Sequence, residues 1–295
     1  MFTDIVDYSK MVQRDQALTL ELVEEHNQII KENIENYPGK IKVHYKKRGC
    51  GPPLLLLHGI GSNSFSWRQQ LQDLSHDYTV LAWDAPGYGQ SSDPVPTVMK
   101  IRHYVDCVKD LLDEQQMDSI YLLGHSWGGV IAQEFYRVFP AYVKALILAD
   151  TNRGGGAEPE DIARRGLQQR LQMIEQLSPD QLARERAPVL LSSTAPDDVL
   201  CEVEDIMSQV RSLGYRSAAI SMSEVDHSEL LSQIQIPTLL IWGTEDKVTS
   251  LSEGKIMEKA IPGSQLEVIS SAGHLCYLEY PKDFNEIVRK FLKGV

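Results

Sequence analysis

Cysteine is scarce: Cys50, Cys107, Cys201 and Cys276 are the only four in 295 residues, far apart and in no C-x-x-C pair. Free thiols in a reducing cytoplasm are the simplest reading of that spacing. Basic residues are also short, 29 Lys and Arg against 41 Asp and Glu, for a net charge of −12. This balance argues against a nucleic-acid surface and favours solubility. No apolar run approaches membrane-spanning length, so no membrane partner is expected. The opening Met1-Phe2-Thr3-Asp4 lacks the basic and apolar regions of a signal peptide, which makes a cytoplasmic location the expectation. There is no G-x-x-x-x-G-K-[ST] phosphate loop, no internal repeat and no low-complexity segment. Neither a metal nor a cofactor is called for.

What is present is a chain with 42% hydrophobic residues, ample for a core, organised around Ile120 to Val130. The apolar run Ile120–Leu123 reads as a buried strand, Gly124-His125-Ser126-Trp127-Gly128 as a sharp turn, and Val130–Val138 as a helix. G-x-S-x-G arises by chance in about one chain of this length in ten. Its strand–turn–helix setting is what a nucleophile elbow requires: the glycines let strand and helix approach, and the turn lifts the serine above the sheet edge.

Other short apolar runs follow the same rhythm. Strands are expected at 41–47, 54–57, 79–83, 145–149, 238–242 and 265–269, with helices at 101–114, 251–260 and 283–292. Strands alternating with helices indicate a mostly parallel sheet with helices on both faces. Residues 153–227 break the alternation with three or four helical stretches, near 159–176, 179–186, 195–214 and 215–223. They read as a helical cap inserted in an α/β core formed by 41–152 and 228–295. Tyr215 is the only aromatic residue of the cap, which suits a small or medium substrate group.

A serine hydroxyl needs a general base in reach, and the base needs an orienting acid. His274 follows the last expected strand, and Asp246 follows the strand 238–242. Catalytic groups gather at the carboxyl ends of parallel strands, and Ser126, Asp246 and His274 all fall there, in the order used by α/β-hydrolases. Glu245 and Asp150 are rival acids. His58-Gly59-Ile60 follows the strand 54–57; the amides of Ile60 and Trp127 are candidates for an oxyanion hole. His58, Gly59, Phe65 and Trp67 are candidates for the substrate pocket, with core packing the alternative for each large side chain. His58 and His125 read as structural hydrogen-bonders, Asp84–Ser91 as tight-turn architecture, and Cys276 as a packed thiol near the site.

Residues 41–295 resemble the α/β-hydrolase superfamily, in the branch carrying His58-Gly59, Asp84-Ala85-Pro86-Gly87-Tyr88-Gly89-Gln90-Ser91 and Gly124-His125-Ser126-Trp127-Gly128. Within it, the chain is most similar to small-ester hydrolases and 3-oxoadipate enol-lactonase-type enzymes. The resemblance implies a small-molecule ester or lactone substrate and an acyl-enzyme on Ser126. Carbon–carbon bond hydrolysis or acyl transfer on the same residues is the alternative. Epoxide hydrolases and dehalogenases are disfavoured because they carry an aspartate where this chain has Ser126.

Residues 1–40 differ. Phe2–Ser9, Gln13-Arg14-Asp15 and Glu25-His26-Asn27 resemble the start of a class III adenylate or guanylate cyclase domain, with a helix expected at 13–37. In that family the aspartate matching Asp4 binds a metal, but the second metal aspartate does not follow, and Asp7 replaces the usual glycine. The resemblance stops near Lys40, so the segment is expected to be a helical, non-catalytic extension. It suggests a rival of another class, a non-catalytic receptor or signalling module, against which the complete set Ser126, Asp246 and His274 argues.

Overall fold

A computed structural model describes residues 41–295; the expected extension 1–40, with Asp4 and the helix 13–37, lies outside the described residues. Seven strands form one sheet: β1 (Tyr45–Arg48), β2 (Pro53–Leu57), β3 (Thr79–Trp83), β4 (Ile120–His125), β5 (Val143–Ala149), β6 (Thr238–Gly243) and β7 (Gln265–Ile269). Their spatial order is β1-β3-β2-β4-β5-β6-β7; β1 is antiparallel to β3 and every other pair is parallel. Strands β2 to β6 are almost wholly buried and read as continuous apolar runs, as sheets covered on both faces must. At the outer edge, β1 carries Lys46, Lys47 and Arg48, charges that discourage pairing with another sheet.

Helices α1 (Arg68–Asp73), α2 (Ile101–Glu114) and α3 (Trp127–Val138) follow β2, β3 and β4. In α2, Ile101, Tyr104, Val105, Val108, Leu111 and Leu112 are buried at helical spacing. After β5 come α4 (Glu160–Gln176), α5 (Pro179–Leu190), α6 (Asp197–Met207), α7 (Ser212–Ser223) and α8 (Ser228–Leu231). The sheet then resumes, with α9 (Leu251–Ala260), α10 (Cys276–Glu279) and α11 (Pro281–Leu292). No helix among the described residues is long and apolar enough to cross a membrane.

Three local expectations are corrected. The first strand starts at Tyr45 and not at Ile41, because residues 42–44 bond to the turn after β3: the Lys42 and His44 amides reach Ser92 and Ser91 hydroxyls, and the Asp84 amide reaches the His44 carbonyl. The helix expected over 195–214 is broken at 208–211. There Arg211 takes an extended backbone and its guanidinium donates to the Ser91 carbonyl at 2.6 Å and the Gly87 carbonyl at 3.2 Å. The helix after Ser126 begins at Trp127, three residues before Val130.

That early start depends on glycine. A Cβ on Gly128 would meet the Leu57 carbonyl oxygen at 2.2 Å, and one on Gly124 would meet the Gly128 carbonyl oxygen at 2.4 Å. Both clashes are with backbone, which cannot turn aside. Gly128→Ala is therefore expected to destabilise the protein by about 3 kcal/mol, the upper end of overpacking costs, measured by urea unfolding. A variant as stable as the parent would show that β2 and α3 can separate freely.

Candidate active site

The sheet topology brings the site together. The chain runs from β2 outward to β3, then crosses back to place β4 on the other side of β2. A crevice opens at the carboxyl ends of strands where the order reverses in this way. Leu57 is in register with Gly124, so the loop after β2 stands beside the turn after β4. A Cβ on Gly59 would lie 3.0 Å from both the His125 ring and Ser126 Cβ, a measure of how closely the two loops approach.

Ser126 holds φ 53° and ψ −122°, the strained geometry of a sharp strand-to-helix turn. Its amide donates to the Ala149 carbonyl at 3.0 Å, and its carbonyl accepts from Thr151 Oγ1 at 2.6 Å. Trp127 is the first residue of α3, so its amide has no intrahelical acceptor. Gly61, at φ 85°, turns the facing loop so that Gly59, Ile60 and Ser62 share one cavity with Ser126 and His274.

His274 Nδ1 lies 2.8 Å from Asp246 Oδ2, and both side chains are buried. Asp246 Oδ1 accepts from the amides of Val248 at 2.7 Å and Thr249 at 2.9 Å, while Thr249 Oγ1 stands 2.7 Å from Oδ2. Burial pushes the Asp246 carboxyl up, but the charge and hydrogen bond of His274 and the hydrogen bonds of Thr249 outweigh it and hold the group below the usual carboxylate range. The rival acids are engaged elsewhere: Glu245 accepts from the Ser193 amide and hydroxyl, and Asp150 from the Gly243 amide. Among the described residues no hydrogen bond joins Ser126 Oγ to His274. Such bonds often tighten only when substrate is bound.

Two further histidines hold the frame. The His125 Nε2–H donates to the His274 carbonyl at 2.8 Å; burial and then the His274 charge push His125 down to about 3, so its ring stays neutral. His58 bridges the Gly59 carbonyl, 2.9 Å from Nδ1, and the Ala85 amide, which donates to Nε2 at 3.0 Å; burial pushes it down as well. Cys276 is buried, and burial pushes its thiol far above the ordinary range, which removes nucleophilic character.

The pocket differs from expectation. Gly59 lines it; His58, Phe65 and Trp67 do not. His58 is spent on its two backbone bonds. Phe65 is 44% exposed, turned outward by the short helix Ser64–Trp67 beneath Lys46 and Arg68. Trp67 is buried in the core, stacked on Tyr277 with ring centroids 4.2 Å apart. The walls come instead from Leu190, Val203, Ile206 and Met207 of the inserted helices and from Leu275 and Leu278. Thr249 was also missed, although Asp246-Lys247-Val248-Thr249 has the spacing of an Asx turn. A larger cavity, about 590 Å³, lies at the opposite ends of β6 and β7 and holds none of these residues.

Comparison with known proteins agrees with the fold. The family model for the alpha/beta hydrolase fold matches residues 52–281, which leaves the cyclase-like reading of residues 1–40 without support. The chain is 29% identical to 3-oxoadipate enol-lactonase 2 of Acinetobacter baylyi, over 82% of this chain and 89% of that one. It is 26% identical to a 2-hydroxy-6-oxononadienedioate/2-hydroxy-6-oxononatrienedioate hydrolase of Paraburkholderia phymatum, over 86% and 91%. Among solved structures it is similar to a thermophilic esterase from Thermogutta terrifontis with malate bound, at 27% identity and a TM-score of 0.81 over 87% of this chain and 95% of that one. With strands, crossover helices and the Ser126 turn in place, the chain belongs to the alpha/beta hydrolase fold family.

Proposed function

We propose that the protein is a serine hydrolase that cleaves a small or medium carboxylic ester or lactone through an acyl-enzyme on Ser126. The observation that carries this is the shared cavity of Ser126, on its strained turn, and His274, whose Nδ1 is 2.8 Å from Asp246. His274 first takes the serine proton as base, then returns it to the leaving alcohol as acid. Asp246 orients the imidazole and stabilises its cation. The amides of Ile60 and Trp127 receive the oxyanion. Water then attacks the acyl-enzyme with His274 again as base, releasing the acid and free Ser126.

The free space in the cavity is about 20 Å³, room for about one water. An acyl group enters only as the inserted helices shift, and their aliphatic side chains then set the acyl length. Turnover of p-nitrophenyl esters is expected to fall steeply from acetyl and butyryl to decanoyl. A maximum on long-chain triglyceride emulsions would contradict a small-acyl site. A fluorophosphonate probe should label Ser126, read by peptide mass spectrometry.

One observation favours a second reading, hydrolysis of a carbon–carbon bond in an acid-bearing diketone. Arg186 sits on the inner face of α5 with Leu182 and Leu190, one turn from each. It is half-buried, and burial pushes its guanidinium down. It does not line the cavity of Ser126, so it would meet a substrate carboxylate only where the helices after β5 shift. Product analysis with a dienoic diketone acid separates this reaction from ester cleavage.

A further inference from the structure

Asp150 directly follows β5 and is fully buried, yet it is not the carboxylate that meets His274. Its backbone holds φ 41°, a conformation that Asp and Asn tolerate better than other side chains. Three bonds tie it to the acid-bearing segment. Its amide donates to the Ile241 carbonyl at 2.9 Å, and its Oδ1 accepts from the Gly243 amide at 2.9 Å. Thr249 Oγ1 stands 2.8 Å from the Asp150 carbonyl and 2.7 Å from Asp246 Oδ2, so its single proton is shared between these two acceptors. The second carboxyl oxygen, Oδ2, is buried and receives no N–H or O–H among the described residues; the Cys276 thiol, a weak donor, stands against the carboxyl.

The titratable groups around Asp150 are Asp246 from the loop after β6 and Cys276 and Tyr277 from α10, with His274 beyond Asp246. An ionised Asp150 would leave Oδ2 as an unsolvated negative atom beside a second carboxylate. Two neighbouring buried carboxyls do not both ionise, and Asp246 already has two amide donors, a share of the Thr249 hydroxyl proton and the histidine. We propose that Asp150 is a positioning residue working as an uncharged carboxylic acid, which ties the Asp246 loop to β5 and leaves Asp246 the single anion beside His274. The role in catalysis rests on the proposed use of Asp246 as the orienting acid; the charge state does not. Burial and the Asp246 charge both push the Asp150 carboxyl well above the ordinary range, in accord with the geometry.

The sign of the linkage gives a test independent of activity. A neutral Asp150 keeps its proton in the folded chain, while the unfolded chain loses it above about pH 4. The folded state then binds one more proton, so stability falls as pH rises through that range. Asn keeps the shape and the Oδ1 acceptor but has no proton to hold. Asp150→Asn is expected to melt above the parent at about pH 7, with the gap closing toward about pH 4. A gap that does not depend on pH would mean that Asp150 is ionised in the folded protein, and would overturn the proposal.

The positioning role is read with p-nitrophenyl acetate. Asp150→Gly accepts the positive φ and removes the whole side chain with its carboxyl; kcat should fall about 10- to 100-fold, as when a catalytic group is displaced by about 1 Å, with KM little changed. Asp150→Asn should restore kcat and leave the acid limb of the pH profile in place. An acid limb in Asp150→Asn lower by a full pH unit would show a lost anion acting on His274, and an Asp150→Gly protein with parental kcat would show no positioning; either result overturns the proposal. If Asp150→Gly does not fold, the melting comparison and the Asn pH profile still decide the charge state. Asp246→Asn is measured in parallel: parental activity there would remove the assigned acid while leaving the Asp150 melting result to stand or fall alone.

Discussion

Ser126→Ala is expected to lower ester kcat by about 10⁶-fold, the scale seen when the nucleophile of a serine, histidine and aspartate set is removed. That corresponds to about 8 kcal/mol of transition-state stabilisation. The loss should be in chemistry and not in folding. No hydrogen bond of the Ser126 hydroxyl supports the turn; the bonds that hold residue 126 use its amide and carbonyl. No neighbour can replace the nucleophile. The Cys276 thiol is buried and pushed up in pKa, and Ser62, though it lines the cavity, has no base hydrogen-bonded to it among the described residues. What remains is the pair of oxyanion donors and substrate positioning, worth about 10³ to 10⁴ over water. Stopped assays on a folded Ser126→Ala protein, checked by circular dichroism, read this directly. Turnover within tenfold of the parent would mean that water or another group attacks the substrate.

Much of this site could be read in the sequence because its parts are tied to simple periodicities. A buried parallel strand is a short apolar run. The expected bounds for β3 (Thr79–Trp83), β7 (Gln265–Ile269), α2 (Ile101–Glu114) and α9 (Leu251–Ala260) match the structure residue for residue. Ser126, Asp246 and His274 fall in the loops at the carboxyl ends of β4, β6 and β7, where catalytic groups gather in parallel sheets. The errors fell where local preference yields to tertiary contact. Gly128 and Gly129 weaken a helix in isolation, yet the end of β2 passes too close to Gly128, and Thr151 too close to Gly129, for any side chain. Arg211 is a good helix former, but three carbonyls of the turn after β3 draw it out of the helix. The pocket walls were not legible at all. Leu190, Val203, Ile206 and Met207 are ordinary apolar helix positions, and only the packing of the insertion over Ser126 distinguishes them from core.

Asp246→Asn is expected to lower kcat by about 10⁴-fold while leaving the fold intact, since the corresponding change in serine proteases acts through the histidine tautomer. The local geometry explains why so small a change should matter. Asn can keep Oδ1 as the acceptor for the Val248 and Thr249 amides, so the turn that holds the residue survives. Its other atom becomes an NH₂ group facing His274 Nδ1. Two N–H groups cannot face each other at 2.8 Å, so the imidazole proton moves to Nε2, the nitrogen that must accept from Ser126. The base is then blocked, and the imidazolium loses its counter-charge. Stability should change with pH in a defined sense. The folded-state pKa of Asp246 lies below its unfolded value, so its ionised form stabilises the fold above the ordinary carboxylate range. That contribution is lost as pH falls through the folded pKa. The parent should therefore melt above Asp246→Asn at neutral pH, and the two should converge in acid. This sign is opposite to that expected for Asp150→Asn, so the two buried aspartates can be told apart by melting curves alone. If Asp246→Asn retained a tenth or more of the parental kcat, His274 would have to be oriented by another acid, and Asp150, joined to Asp246 through Thr249, would be the first to examine.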